Sequence, residues 1–96
     1  MMNQLINVPK IHPGEVLSDE LEERGITQSE LASHIGVLPK TINEICRRKR
    51  GISAEMAWKL SRSLGASPTF WMNLQTNWEL HESYQKGFER LTKLAA

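Results

Sequence analysis

The sequence predicts an all-α fold of about five helices. Three observations carry this. Apolar residues recur three and four positions apart in successive short segments. No segment alternates with period two. Each segment opens on a capping residue or a proline, and most close on a glycine.

The elements follow in order. Residues 1–12 read as an extended arm with Leu5, Ile6, Val8 and Ile11, a mixed composition that permits folding on a partner. Pro13 opens the first helix, where the missing N–H costs nothing, and Val16, Leu17 and Leu21 form its stripe up to Gly25. The second helix has the best local signature. Thr27 and Glu30 stand at capping-box spacing, Ile26 and Leu31 at staple spacing, and Gly36 ends the helix after Ile35. The third starts at Pro39, places Ile42, Ile45 and Cys46 on one face, and is expected to run through residues 47–50 to Gly51. Ser53 caps the fourth, whose stripe is Met56, Ala57, Leu60 and Leu64 before Gly65. Ser67 and Pro68 open the fifth, with Trp71, Leu74 and Trp78 at helical spacing. Leu80, Tyr84, Phe88, Leu91 and Leu94 suggest a further helical segment to the C-terminus, weakened by Gly87. The organisation expected is an arm over 1–12, a core domain over 13–78 and a helical extension over 79–96.

Composition excludes several classes. No run of about 18 apolar residues is present, so no transmembrane helix is expected. Residues 1–12 lack a basic stretch followed by an apolar one and do not read as a secretory signal. Cys46 is the one cysteine, which leaves no intrachain disulfide and suits a reducing cytoplasm. Its expected role is a small core residue, although neighbouring arginines would favour a thiolate. His12, His34 and His81 have no metal-ligand spacing, and neither a phosphate-cradling glycine loop nor a nucleophile elbow is present. No metal, cofactor or catalytic site is expected.

Charge is unevenly placed. Positions 10–25 hold five acids against two bases, and positions 40–62 hold seven bases against two acids. The first region suits a basic partner and the second suits phosphate. Both patterns also suit solvated helix faces, and bases in a last helical turn favour the helix dipole.

Residues 27–35 and 39–50 form two short helices joined by a tight turn at Gly36, with small Ala32 allowing a close crossing. This is the helix-turn-helix arrangement, in which the second helix enters the major groove. The run TQSELASHIGVLPKTINEICRRKRGIS resembles the lambda-repressor-like (XRE-type) helix-turn-helix at Gln28, Leu31, Ala32, Gly36, Val37, Ile42 and Ile45. A narrower resemblance, carried by HPGE at 12–15 and PTFWMNLQ at 68–75, is to the HigA/VapI group of antitoxins and covers nearly the whole chain.

That resemblance implies a homodimer that binds an inverted-repeat operator, represses its own operon and neutralises a RelE-like ribonuclease toxin. Gln28 matches a phosphate-contacting position at a helix N-terminus. Lys40, Thr41 and Glu44 match exposed positions of the recognition helix, with Asn43 beside them. Lys40 would donate to guanine and Glu44 would accept from cytosine N4. Arg47, Arg48, Lys49 and Arg50 would grip phosphate at the helix exit. Phe70, Trp71, Leu74 and Trp78 would divide between core and dimer seam. The acids Glu15, Asp19, Glu20, Glu22 and Glu23 would attract a basic toxin. The chain departs from the pattern twice. Leu38 stands where a polar cap is usual, and residues 47–49 replace an Asn-Gly-Lys type turn, which leaves the backbone path there open. A solitary repressor shares the same DNA chemistry. Leu38 and Glu44 would be the marks of an interaction module without DNA binding, and an enzyme would need a constellation that is absent from the sequence.

Overall fold

The computed structural model describes residues 10–84 and 86–95. Among these, five α-helices and one 3-10 turn form, with no strand: α1 (Pro13–Arg24), α2 (Gln28–Ile35), α3 (Pro39–Cys46), α4 (Ala54–Leu64), α5 (Pro68–Tyr84) and the 3-10 turn Phe88–Arg90. The all-α expectation therefore holds. The arm expected at the N-terminus falls outside the described residues up to position 9, and His12 belongs to α1 as its cap.

The caps explain where the helices begin. His12 Nδ1 accepts the Gly14 N–H at 2.8 Å, and the Glu15 carboxylate accepts the His12 N–H at 2.9 Å. Pro13 fills the first turn, so HPGE is a complete N-terminal cap. Thr27 and Glu30 close the expected capping box on α2 at 3.0 Å in each direction. Ser53 Oγ accepts from the Met56 N–H at 3.1 Å to cap α4. Leu38 supplies no side-chain cap for α3.

α2 packs on α3, α4 on α5, and α1 bridges to both α3 and α5. The core joins Leu17 and Leu21 of α1, Leu31 and Ala32 of α2, Ile42 and Ile45 of α3, Ile52, and Met56, Ala57, Leu60 and Leu64 of α4 with Trp71 of α5. Ala32 is fully buried, which lets α2 and α3 approach closely. Arg24 Nη2 donates to the Leu64 carbonyl at 2.7 Å and so ties the end of α1 to the end of α4.

Three expectations change. α3 stops at Cys46 rather than at Gly51. The Arg48 N–H donates to the Ile45 carbonyl (3.0 Å) and the Lys49 N–H to the Glu44 carbonyl (2.8 Å), a Schellman-type closure that puts Arg48 at φ 62°. α5 runs unbroken through residue 78 to Tyr84, so no helix boundary falls at 79. Beyond it the described residues form one 3-10 turn as their only helical element, and Leu91 and Leu94 lie exposed. Finally, Trp71 is 1 % exposed and sits in the core of its own chain, leaving none of its ring for a dimer seam. Trp78 is half-buried, edge-on to His12 (5.0 Å between centroids) with Lys10 Nζ 4.9 Å from its ring centre. Phe70 remains exposed and Leu74 half-buried.

Candidate nucleic-acid interface

The site is built on α3 and the turn that follows it. Ile42 and Ile45 anchor the inner face in the core, and Lys40, Thr41 and Glu44 follow on the outer face at i, i+1 and i+4. Lys40 is exposed, whereas Thr41, Asn43 and Glu44 are half-buried. Arg47, Arg48, Lys49 and Arg50 are all exposed, so four cations cluster on one turn.

α1 sets the position of that turn. A Cβ on Gly14 would stand 1.8 Å from the Ile45 carbonyl oxygen, so only glycine allows α1 to touch the α3 backbone there. α5 sets it from the other side. Gln75 is buried, its Oε1 accepts the Ile52 N–H at 2.8 Å, and its Nε2 donates to Glu79 at 2.8 Å. A Cβ on Gly51 would lie 2.6 Å from the Gln75 amide. The segment after the recognition helix is thus pinned by its own Schellman bonds at one end and by Gln75 at the other.

Two polar pairs order the outer face. Asn43 Nδ2 donates to Gln28 Oε1 at 3.1 Å, linking α3 to the start of α2. Arg50 donates twice to Glu44 Oε1, from Nε at 3.0 Å and from Nη2 at 2.8 Å. These Arg50 bonds hold the Glu44 carboxyl below the usual carboxylate range, helped by the charges of Arg50, Lys40 and Lys49. Thr27 does the same for Glu30 through their capping bonds. Burial lowers the His12 imidazole and raises the Cys46 thiol, so Cys46 is not an activated thiolate despite its arginine neighbours.

The acids expected to meet a basic partner line the outside of α1. Asp19, Glu22 and Glu23 are exposed, Glu20 accepts from Arg24 at 3.0 Å, and Glu15 serves the cap with Arg48 Nη1 3.9 Å away. The structure therefore brings Gln28, Lys40, Thr41, Asn43, Glu44 and the basic turn together, with Glu15 of α1 paired to that turn through Arg48, while Asp19, Glu22 and Glu23 stay exposed on α1. Two positions escaped the sequence reading. Gln75 was legible as the one polar residue on the buried side of α5, four after Trp71 and three before Trp78. Trp58, off the apolar stripe of α4, is 59 % exposed beside His34, Lys59 and Arg62.

Comparison with known proteins agrees with this geometry. A helix-turn-helix family model matches residues 17–71. Virulence-associated protein I of Dichelobacter nodosus is 42 % identical over 79 residues, covering 81 % of this chain and 73 % of that protein. The solved structure of the Pseudomonas aeruginosa antitoxin HigA with the higBA promoter is 40 % identical, with a TM-score of 0.84 over 91 % of this chain and 100 % of that one. The antitoxin GraA in complex with its operator is 38 % identical, with a TM-score of 0.82 over 93 % of this chain and 95 % of that one. Both of these solved structures are antitoxins held with promoter or operator DNA. The chain belongs to the XRE-type helix-turn-helix family and, within it, to the HigA/VapI group.

Proposed function

We propose that this chain is a DNA-binding antitoxin that occupies an inverted-repeat operator as a homodimer, represses its own operon and neutralises a RelE-like ribonuclease. The observation that carries the DNA reading is the recognition face. Lys40, Thr41 and Glu44 project from a helix whose opposite side is locked in the core, directly before a turn bearing four exposed cations. Similarity to proteins solved with promoter or operator DNA supports it. Lys40, Thr41, Asn43 and Glu44 read base edges, with Asn43 acting from its bond to Gln28. Gln28, Arg47, Arg48 and Lys49 take phosphate.

The exposed edge of α5 at Phe70, with Leu74 and Trp78 behind it, forms the dimer seam. A two-fold dimer spaces its half-sites about one helical turn apart, roughly 10 bp. The outer acids Glu15, Asp19, Glu20, Glu22 and Glu23 steer the toxin. Operator binding of this kind would be exercised in the cytoplasm. Among the described residues no helix is long and apolar enough to cross a membrane.

Co-expression with the product of the adjacent small open reading frame tests the reading. A stable complex that rescues growth from a toxic neighbour is the expected result. A harmless neighbour and no complex, together with a footprint upstream of the gene, would make the chain a solitary repressor.

A further inference from the structure

We propose that Arg50 is a positioning residue for sequence reading, holding the Glu44 carboxylate on the recognition face so that its second oxygen accepts from a base. The inference rests on the operator-binding reading above, and it separates Arg50 from the phosphate-gripping bases beside it.

Both Arg50 donors end on one oxygen, Glu44 Oε1. Oε2 accepts no hydrogen bond from any described residue, so its lone pairs stay available to an external donor. In the major groove such donors are the exocyclic amino groups, cytosine N4 and adenine N6. A bare carboxylate on this face is repelled by the phosphates, and its three side-chain torsions must be ordered on binding. The guanidinium removes both penalties beforehand. It neutralises the charge and fixes the torsions in the free protein, which is preorganisation.

The fork is itself anchored. Arg50 lies six residues after Glu44, a spacing that does not meet on a continuous helix. The two meet because the chain reverses at Arg48, where the Lys49 N–H closes onto the Glu44 carbonyl at 2.8 Å, and because Gln75 holds the Ile52 N–H two residues further on. The side chain of Glu44 is 27 % exposed and that of Arg50 52 %, so the pair sits at the surface with the carboxylate the more enclosed partner.

The test is selection from a randomised duplex DNA library by the full chain at one salt concentration, run for wild type, Glu44→Gln, Arg50→Ala, Arg50→Lys and Lys49→Ala. Wild type is expected to enrich one motif. Glu44→Gln and both Arg50 variants are expected to lose preference at the same base pair, with discrimination there falling roughly five- to a hundredfold. Lys49→Ala is expected to keep the motif and weaken every duplex alike. Arg50→Lys decides the matter if Arg50→Ala does not fold: lysine keeps the charge but cannot reproduce the Nε and Nη2 fork. The inference is overturned, with operator binding intact, if Arg50→Lys returns the wild-type motif or if Glu44→Gln leaves the motif unchanged. A wild-type chain that binds no duplex overturns the operator reading itself and this inference with it.

Discussion

A methyl group at position 14 has no room. Its Cβ would stand 1.8 Å from a backbone oxygen of α3, which cannot rotate away as a side chain would. Gly14→Ala is therefore expected to cost about 3 kcal/mol, the upper part of the range for overpacking, read as a lower urea midpoint at unchanged slope. Arg48 presents the opposite case. It holds φ 62° without being glycine, a strain of about 1–2 kcal/mol. Arg48→Gly is expected to raise stability by up to about 1 kcal/mol once glycine's extra chain entropy is subtracted. The same substitution should weaken binding to all duplexes alike, so thermal melting and DNA titration move in opposite directions. His12 is the third such residue. Burial holds its imidazole below 6.5, with Glu15 opposing and Arg48 adding to the shift. The folded state thus binds fewer protons than the unfolded one as pH falls. Stability is fully present above about pH 6.5 and is lost as pH drops through the folded value. Denaturant midpoints should decline from pH 7 to pH 5, and His12→Asn, which keeps a capping acceptor, should flatten that decline.

At the scale of elements, the two parts of the narrow motif act on the same turn from opposite sides. HPGE starts α1 and puts Gly14 against the end of α3, while PTFWMNLQ puts Trp71 in the core and Gln75 on Ile52. The recognition helix is short and begins without a side-chain cap, so packing rather than local propensity positions it. Gln75→Ala would leave the buried Ile52 N–H without its acceptor, at a cost of about 1–3 kcal/mol. Hydrogen exchange should then accelerate at Ile52 and its neighbours more than in α1 or α4. Uniform acceleration across the chain would remove the idea of a local latch. The helix starts were legible because capping chemistry is local: proline and a polar acceptor act within four residues. The end of α3 was not. Its closure uses arginine in the left-handed conformation, a choice invisible to rules that look for glycine.

For the whole molecule, the base-rich stretch lies on α3 and its following turn and the acid-rich stretch on α1, with Glu15 paired to Arg48 where the two meet. Asp19, Glu22 and Glu23 remain exposed and available to a basic protein. Sedimentation at micromolar concentration is expected to give a dimer of the 11.0 kDa chain, and Phe70→Asp a folded monomer. A monomeric wild type would remove the α5 seam. Operator affinity should fall steeply with salt, because each neutralised phosphate releases counterions. Phe70→Asp should lose most of that affinity by separating the two half-site readers.

By itself the sequence determined the all-α class, all five helix starts (three by a capping side chain and two by proline), the apolar stripes and the candidate recognition face. Each of these depends on residues within one or two turns of each other, where periodicity and capping act. Only the tertiary structure decided that α3 ends at Cys46, that Trp71 is core rather than seam, that Gln75 holds the turn and that Arg50 is bound to Glu44. These outcomes rest on contacts between distant segments, or on a chain reversal, and no helical period encodes either.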